Sequence, residues 1–380
     1  MLTFNAFNRY DMKALLIGGT GTTGPYIIEG LLQRGYQVTT LHRGVHEVET
    51  PPGVEHLHAE PHWIENLSKA LEGRSFDVVV ATYGRLRYIA EAVKGHTRRL
   101  ISVGGQAVYK GWMRITDPEA VVHGEDSPIP VGEDEFLESR GIDHFVDRML
   151  ESEQAVMQAH EQGYYNATHF RYPIVYGPRH IAPGEWSIVR RILDSRKRLA
   201  LPGGGQIIVS RGYGQNVAHA VLLALDHPDA SAGQIYNIRD ERLLTMRQWV
   251  EGIAAALDHK FEFIEVPLFA THLGPRYIPV PLLFRYHRVI DIHKIQLQLG
   301  YSDVVPAEQG ITLTARWLAQ NRPEPGGEVE KSIGDPFDYA AEDELMTQVS
   351  DVWEKLKQMP VSKHGFRHPY AHPKRPGDLR

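Results

Sequence analysis

The chain contains no cysteine among its 380 residues. Disulfides, thiolate metal sites and cysteine nucleophiles are therefore excluded, and any chemistry must come from other side chains. No stretch approaches 18 consecutive apolar residues, so no transmembrane helix is expected. A basic excess is missing as well. The 41 Lys and Arg stand against 47 Asp and Glu, and a net charge of −6 argues against a general nucleic-acid surface. The leader Met1 to Asp11 has neither a basic end nor an apolar stretch. It does not read as a secretory signal, and a cytoplasmic location is the expectation. The chain also lacks an internal repeat.

What it does have is the stretch Gly18-Gly19-Thr20-Gly21-Thr22-Thr23-Gly24. The apolar run Ala14 to Ile17 precedes it, and the helical pattern Ile27, Ile28, Leu31, Leu32 follows. A strand–turn–helix of this kind holds a pyrophosphate. Its first glycine permits the tight turn, the second lets phosphate approach the backbone, and the third lets helix pack on strand. Free N–H groups and the helix dipole then face the negative charge. Pro25 fits the first helical turn, where its missing donor costs nothing.

Short apolar runs alternate with helical patterns through the first half. Strands are predicted at Lys13–Gly18, Gln37–Leu41, Val54–His58, Phe76–Ala81, Leu100–Val103 and Ala167–Tyr172. This alternation predicts an α/β fold, a doubly wound parallel sheet of the Rossmann type with ligands at the carboxyl ends of its strands. Residues 12–177 and 207–240 are assigned to the dinucleotide-binding domain, and 178–206 and 241–321 to a smaller substrate lobe. Residues 322–380 read as a linker, an amphipathic helix and a basic tail. In the lobe, Gly203–Gly205 and Arg211–Gly214 read as loops, the first as a phosphate nest or a lobe turn. Pro267 to Pro281 reads as a surface excursion. The stripe Leu345, Met346, Val349, Val352, Trp353, Leu356 is expected to dock on the body. The last 20 residues carry five Lys or Arg against one Asp and read as a solvated tail.

With Gly18-x-x-Gly21-x-x-Gly24, the run Arg171-Tyr172-Pro173-Ile174-Val175-Tyr176-Gly177-Pro178-Arg179, and the later Gln234–Ile238 and Leu299-Gly300-Tyr301, the chain resembles an extended short-chain dehydrogenase/reductase. That is the NAD(P)-dependent epimerase/dehydratase superfamily, and the resemblance covers Lys13 to Asn321. It implies a cofactor site built from Gly18, Thr20, Gly21, Thr22, Thr23 and Gly24. It adds Glu60 near the adenine, Ala81, Tyr83 and Gly84 at the end of the fourth strand, Val103, and Tyr172, Pro173 and Val175 at the nicotinamide end. The second strand ends in Arg43, where NAD readers place an acid for the ribose 2′-hydroxyl. An arginine suits the 2′-phosphate, so the expected cofactor is NADP(H), with NAD second.

The reaction centre of the family is a serine with a tyrosine and a lysine four residues apart. Aligned on Glu153-Gln154, those positions hold Gly105, Phe145 and Met149, none of which transfers a proton. Three replacements can be nominated, each with a structural alternative. Tyr109 lies after strand five but could instead pack beneath a lid. His144 begins the next helix and could simply be a solvated helix start. Ser102 could bond only backbone. His56 and His58 share a strand face with Glu60 and His62 beyond, which fits a satisfied pair better than a metal site, so no metal is expected. Arg179 fits an anion clamp or an ion pair. The resulting expectation is an atypical NADP(H)-binding enzyme, of redox or epimerase/dehydratase type, acting on a small molecule with a non-standard proton donor. The rival is an inactive NADP-sensing regulator or scaffold, and behind it an RNA-associated protein. Through the resemblance, a homodimer is expected.

Overall fold

A computed structural model of the protein describes residues 12–45, 49–113 and 128–362, together with 365, 369 and 374–377. The basic-tail expectation falls mostly outside the described residues. Seven strands form one all-parallel sheet: β1 (Lys13–Ile17), β2 (Gln37–His42), β3 (Glu55–His58), β4 (Val78–Ala81), β5 (Arg99–Gly105), β6 (Asn166–Tyr172) and, later in the chain, β10 (Gln234–Asn237). Their spatial order is β10-β6-β5-β4-β1-β2-β3. The direction of winding reverses at β1, which opens a crevice at the carboxyl ends of β1 and β4.

Burial on both faces, with side chains alternating between them, explains why the central strands β1 and β4 are apolar almost throughout. Ala14 and Leu16 of β1, with Val78 and Val80 of β4, face one layer. That layer consists of α1 (Gly24–Gln33) and α6 (Gly214–Asp226), which contribute Ile27, Ile28, Leu31, Val217 and Val221. Leu15 and Ile17, with Val79 and Ala81, face the opposite layer. There α2 (Ile64–Leu71), α3 (Leu86–Ala92) and α4 (His144–Glu161) bury Leu67, Ile89 and Val156. A one-residue slip of any strand would exchange the two faces.

The smaller lobe holds α5 (Glu185–Leu193), α7 (Met246–Ala256) and α9 (Ala307–Gln320) around a core that includes Ile188, Trp249 and Ile311. A parallel pair, β8 (Arg198–Pro202) and β11 (Glu262–Val266), completes it, while α8 (His293–Leu299) packs near β10. Several lobe expectations are corrected. Arg211–Tyr213 is not a loop but a strand, β9, paired in parallel with β7 (Ile174–Tyr176). Two short 3-10 turns break the segment from Pro267 to Pro281, which buries Ala270 and Ile278 in the lobe core rather than skirting the surface. Nor is the chain after residue 322 a plain linker. It forms α10 (Glu328–Ile333) and α11 (Tyr339–Lys357), tied down by the fully buried Arg191, which donates to both Asp335 and Glu342. The stripe of α11 docks through Leu345 and Met346, which are buried, through Val349 against the lobe core and through Trp353, which donates to the Glu265 carbonyl at 2.8 Å, whereas Val352 and Leu356 are exposed.

Candidate dinucleotide site

The glycine turn leaves β1 at the sheet's switch point, and the backbone there accepts no side chain at Gly18 or Gly24. Gly18 has φ +107°, and a Cβ on it would meet Thr82 Oγ1 at 2.5 Å. A Cβ on Gly24 would strike the Gly19 carbonyl oxygen at 2.0 Å. Gly21 differs, because a Cβ there would point into open space. The first two glycines serve the fold, and Gly21 leaves room above the turn.

That room is part of a cavity of about 340 Å³ lined by the whole turn from Gly18 to Gly24. Arg43, Tyr83, Tyr172 and Val175 complete its predicted wall. His42, Gly44, Thr82, His180 and Ile181 line it as well, although none carries a local pattern that marks it as a cofactor contact. The electrostatics favour an anion. No acidic residue lies in the first turn of α1, so its positive end faces the cavity uncompensated. Thr22 Oγ1 is buried without a hydrogen-bond partner, a state that a bound acceptor or donor would relieve. Burial pushes the Tyr172 hydroxyl up, which keeps it neutral beside Thr23. The exposed Arg43 guanidinium lies 5.5 Å from the Tyr83 ring centre at the rim. These features fit a dinucleotide pyrophosphate with an additional anion at the β2 end.

Five predicted cofactor residues are placed elsewhere. Ala81 is buried within β4 and Pro173 beside β6, where neither reaches the cavity. Glu60 is engaged by His62. Gly84 and Val103 line a second cavity of about 600 Å³, beside α3 and the start of α4. Tyr83 lines the first cavity, and its ring packs edge-on against His62, which lines the second.

The second cavity also takes in His144, Phe145 and Met149. Met149 Cε lies 3.0 Å from where a Cβ of Gly105 would stand, so these two predicted positions do come together. His144 is exposed there at the start of α4, whose N-terminus is capped by Asp143 accepting from the Phe145 and Val146 amides. The other two nominated proton donors must be corrected. Tyr109 is fully buried and donates to Asn237 Oδ1 at 2.7 Å, while Arg171 donates to its oxygen at 2.9 Å. Burial pushes its hydroxyl up to about 12. Ser102 is also fully buried and shares a 2.9 Å hydrogen bond with His169 Nδ1. Neither hydroxyl lines either cavity.

Of the remaining candidates, His56 bonds His42 at 2.9 Å and Thr50 at 2.9 Å, a satisfied arrangement. No group of three potential ligands is placed to hold a metal among the described residues. Gly203–Gly205 is not an anion nest, because Gly204 lies against the Glu265 carboxylate. Arg179, at φ +66°, is exposed and lines neither cavity.

Residues 148–238 match the family model described as "NAD dependent epimerase/dehydratase family". Over that segment the chain is similar to this family. Among similar proteins, a bovine sterol-4-alpha-carboxylate 3-dehydrogenase (decarboxylating) is 22% identical over 339 residues, which is 80% of this chain and 92% of that one. The uncharacterized protein YbjS of Escherichia coli K12 is 28% identical over 137 residues, covering 32% of this chain and 41% of that protein. Among solved structures, UDP-glucose 4-epimerase of Thermotoga maritima, with UDP-glucose, superposes with a TM-score of 0.64 at 17% identity, over 82% of this chain and all of that one. A dTDP-glucose 4,6-dehydratase of Bacillus anthracis, in complex with NAD, gives 0.62 at 18% identity, over 82% and 97%. No helix among the described residues is long and apolar enough to cross a membrane.

Proposed function

We propose that the protein is an NADP(H)-dependent enzyme of oxidoreductase or epimerase/dehydratase type, acting on a small molecule without the usual serine, tyrosine and lysine. The observation that carries this reading is the glycine-walled cavity with Arg43 at its β2 rim and no carboxylate lining it among the described residues. In it, the amides of the Gly18–Gly24 turn and the Thr22 hydroxyl hold the pyrophosphate, and Arg43 pairs with the 2′-phosphate. The bound nicotinamide supplies or accepts a hydride. His180 and Ile181 approach from the lobe side, helping to keep water from the site.

Phe145 and Met149 leave proton transfer to another group, and of the three nominated donors only His144 lines an open cavity. An imidazole can both give and accept a proton and suits the task. The test is a fluorescence titration with NADPH and NADH, followed by a carbonyl-substrate survey that monitors nicotinamide oxidation. Tighter NADPH binding together with turnover supports the proposal. A second reading, an NADP-sensing regulator, is favoured by the apolar pair Phe145 and Met149. Its signature would be tight NADPH binding without turnover and a partner whose affinity changes with the dinucleotide.

A further inference from the structure

The second cavity carries charge of one sign. Arg85, Arg87, Arg148, His62 and His144 line it, and no carboxylate does so among the described residues. Arg148 is paired with Glu151 at 2.6 Å, and His62 is engaged with Glu60. Glu151 also feels Arg87 at longer range, but Arg148 and Arg140 already hold it. Two cations therefore remain in excess. Arg85 stacks over Trp63 with its guanidinium carbon 4.6 Å from the ring centre, and Arg87 over Tyr88 at 4.7 Å. Stacking occupies the faces of both guanidiniums and leaves their edge N–H groups free. That is the presentation that grips a planar anion through paired hydrogen bonds.

The rest of the wall is apolar. Val103 and Met149 line it, and Phe145 stands at the opening with 59% of its surface exposed. A hydrophobic side chain held open beside unpaired guanidiniums marks a surface that a ligand would cover. Inorganic phosphate would satisfy the arginines and leave the apolar wall in water, whereas an amphipathic acid would satisfy both. We propose that this cavity binds an apolar organic acid, with its carboxylate held by Arg85 and Arg87 and its body against Val103, Phe145 and Met149. Tyr83 of the glycine-turn cavity packs edge-on against His62 of this one, so such acids are the substrate class of the reaction proposed above. That role rests on the dinucleotide reading, but the binding itself does not.

The test uses octanoate as the probe, titrated calorimetrically into the full-length protein, with octylamine and inorganic phosphate as comparison probes. Saturable octanoate binding, with no octylamine binding and weaker phosphate binding, is expected. The double variant Arg85→Gln, Arg87→Gln should weaken octanoate about tenfold or more, since two charge-assisted hydrogen bonds are lost. It should melt at the temperature of the parent, as should the distant control Arg322→Gln, which should bind octanoate normally. Octanoate binding that survives the double substitution, equal octylamine binding, phosphate binding tighter than octanoate, or no octanoate binding overturns the proposal. A separate NADPH titration reports on the dinucleotide reading, so failure of one is not mistaken for failure of the other.

Discussion

The Arg171 guanidinium reaches both carboxylate oxygens of Glu153, at 2.9 and 2.7 Å, with both side chains almost wholly buried. The same guanidinium donates to Tyr109, and His169 Nε2 lies 3.4 Å from the carboxylate. This pair binds α4 to β6 below the carboxyl edge of the sheet. It accounts for Tyr109 and Ser102 as interior polar groups, enclosed by a network whose charges are already satisfied. Glu153→Ala would leave Arg171 buried and unpaired. A loss of about 3–5 kcal/mol is expected, read as a lower urea midpoint with an unchanged slope.

The network also sets a pH dependence. Burial holds His169 down at about 4, against the pull of Glu153 and with help from Arg171, so the imidazole is neutral in the native state. The unfolded chain protonates this histidine below about 6.5. Between those values the unfolded state binds the additional proton, so stability falls as pH drops from about 6.5 towards 4, by up to about 1.4 kcal/mol per unit. Urea midpoints at pH 7.5 and pH 5 should differ more for the parent than for His169→Gln. Equal differences would remove His169 as the source.

Arg43 is the residue on which cofactor preference turns. Its side chain has no carboxylate partner among the described residues and lies beside Tyr83 at the cavity rim. Arg43→Ala should weaken NADPH about 10- to 100-fold, the value of one charge-assisted bond, and leave NADH nearly unchanged. Arg43→Asp should reverse the preference by supplying an acceptor for a ribose 2′-hydroxyl. Parallel fluorescence titrations of both nucleotides measure the ratio, and an unchanged ratio would return Arg43 to the surface.

How much of this was legible follows from the range of each interaction. The β1 turn could be read because steric demands at Gly18 and Gly24 act within a few residues, and the strands because burial on both faces makes them continuously apolar. Three-residue strands such as β7 and β9 carry no period long enough to detect. Tyr109 could be nominated as a proton donor because its acceptor, Asn237, is 128 residues away. Arg191 likewise gave no sign of anchoring Glu342 across 151 residues. The positions of Gly105 and Met149 could be found by spacing, yet Arg85 and Arg87 at the start of α3 meet Phe145, Arg148 and Met149 of α4 only in the fold.

The glycines divide into two classes that experiment can separate. Gly24→Ala places a methyl group against the Gly19 carbonyl, so it should destabilise the protein and lower its melting temperature without ligand. At Gly21 a Cβ meets nothing within 4 Å. Gly21→Val should therefore fold and melt near the parent while losing NADPH binding, because its side chain fills space meant for the ligand. Thermal scans with and without NADPH distinguish the two, since only a protein that binds gains stability from ligand. A Gly21→Val protein that keeps the full NADPH-induced shift would place the dinucleotide elsewhere.

His144 carries the last prediction, which decides between an enzyme and a sensor. Tyr109 and Ser102 are enclosed, and Phe145 and Met149 cannot exchange protons, so proton transfer from α4 falls to the imidazole at its first position. A positioned acid or base contributes about 10²- to 10⁴-fold in rate. His144→Gln should lower turnover by that factor and leave NADPH affinity and melting temperature unchanged. Phe145→Tyr in the same background would place a hydroxyl one residue further along and should recover part of the rate. If His144→Gln leaves the rate untouched, the proton comes from water or from outside α4. If the parent itself never turns over while NADPH binds tightly, the apolar pair Phe145 and Met149 belongs to a sensor.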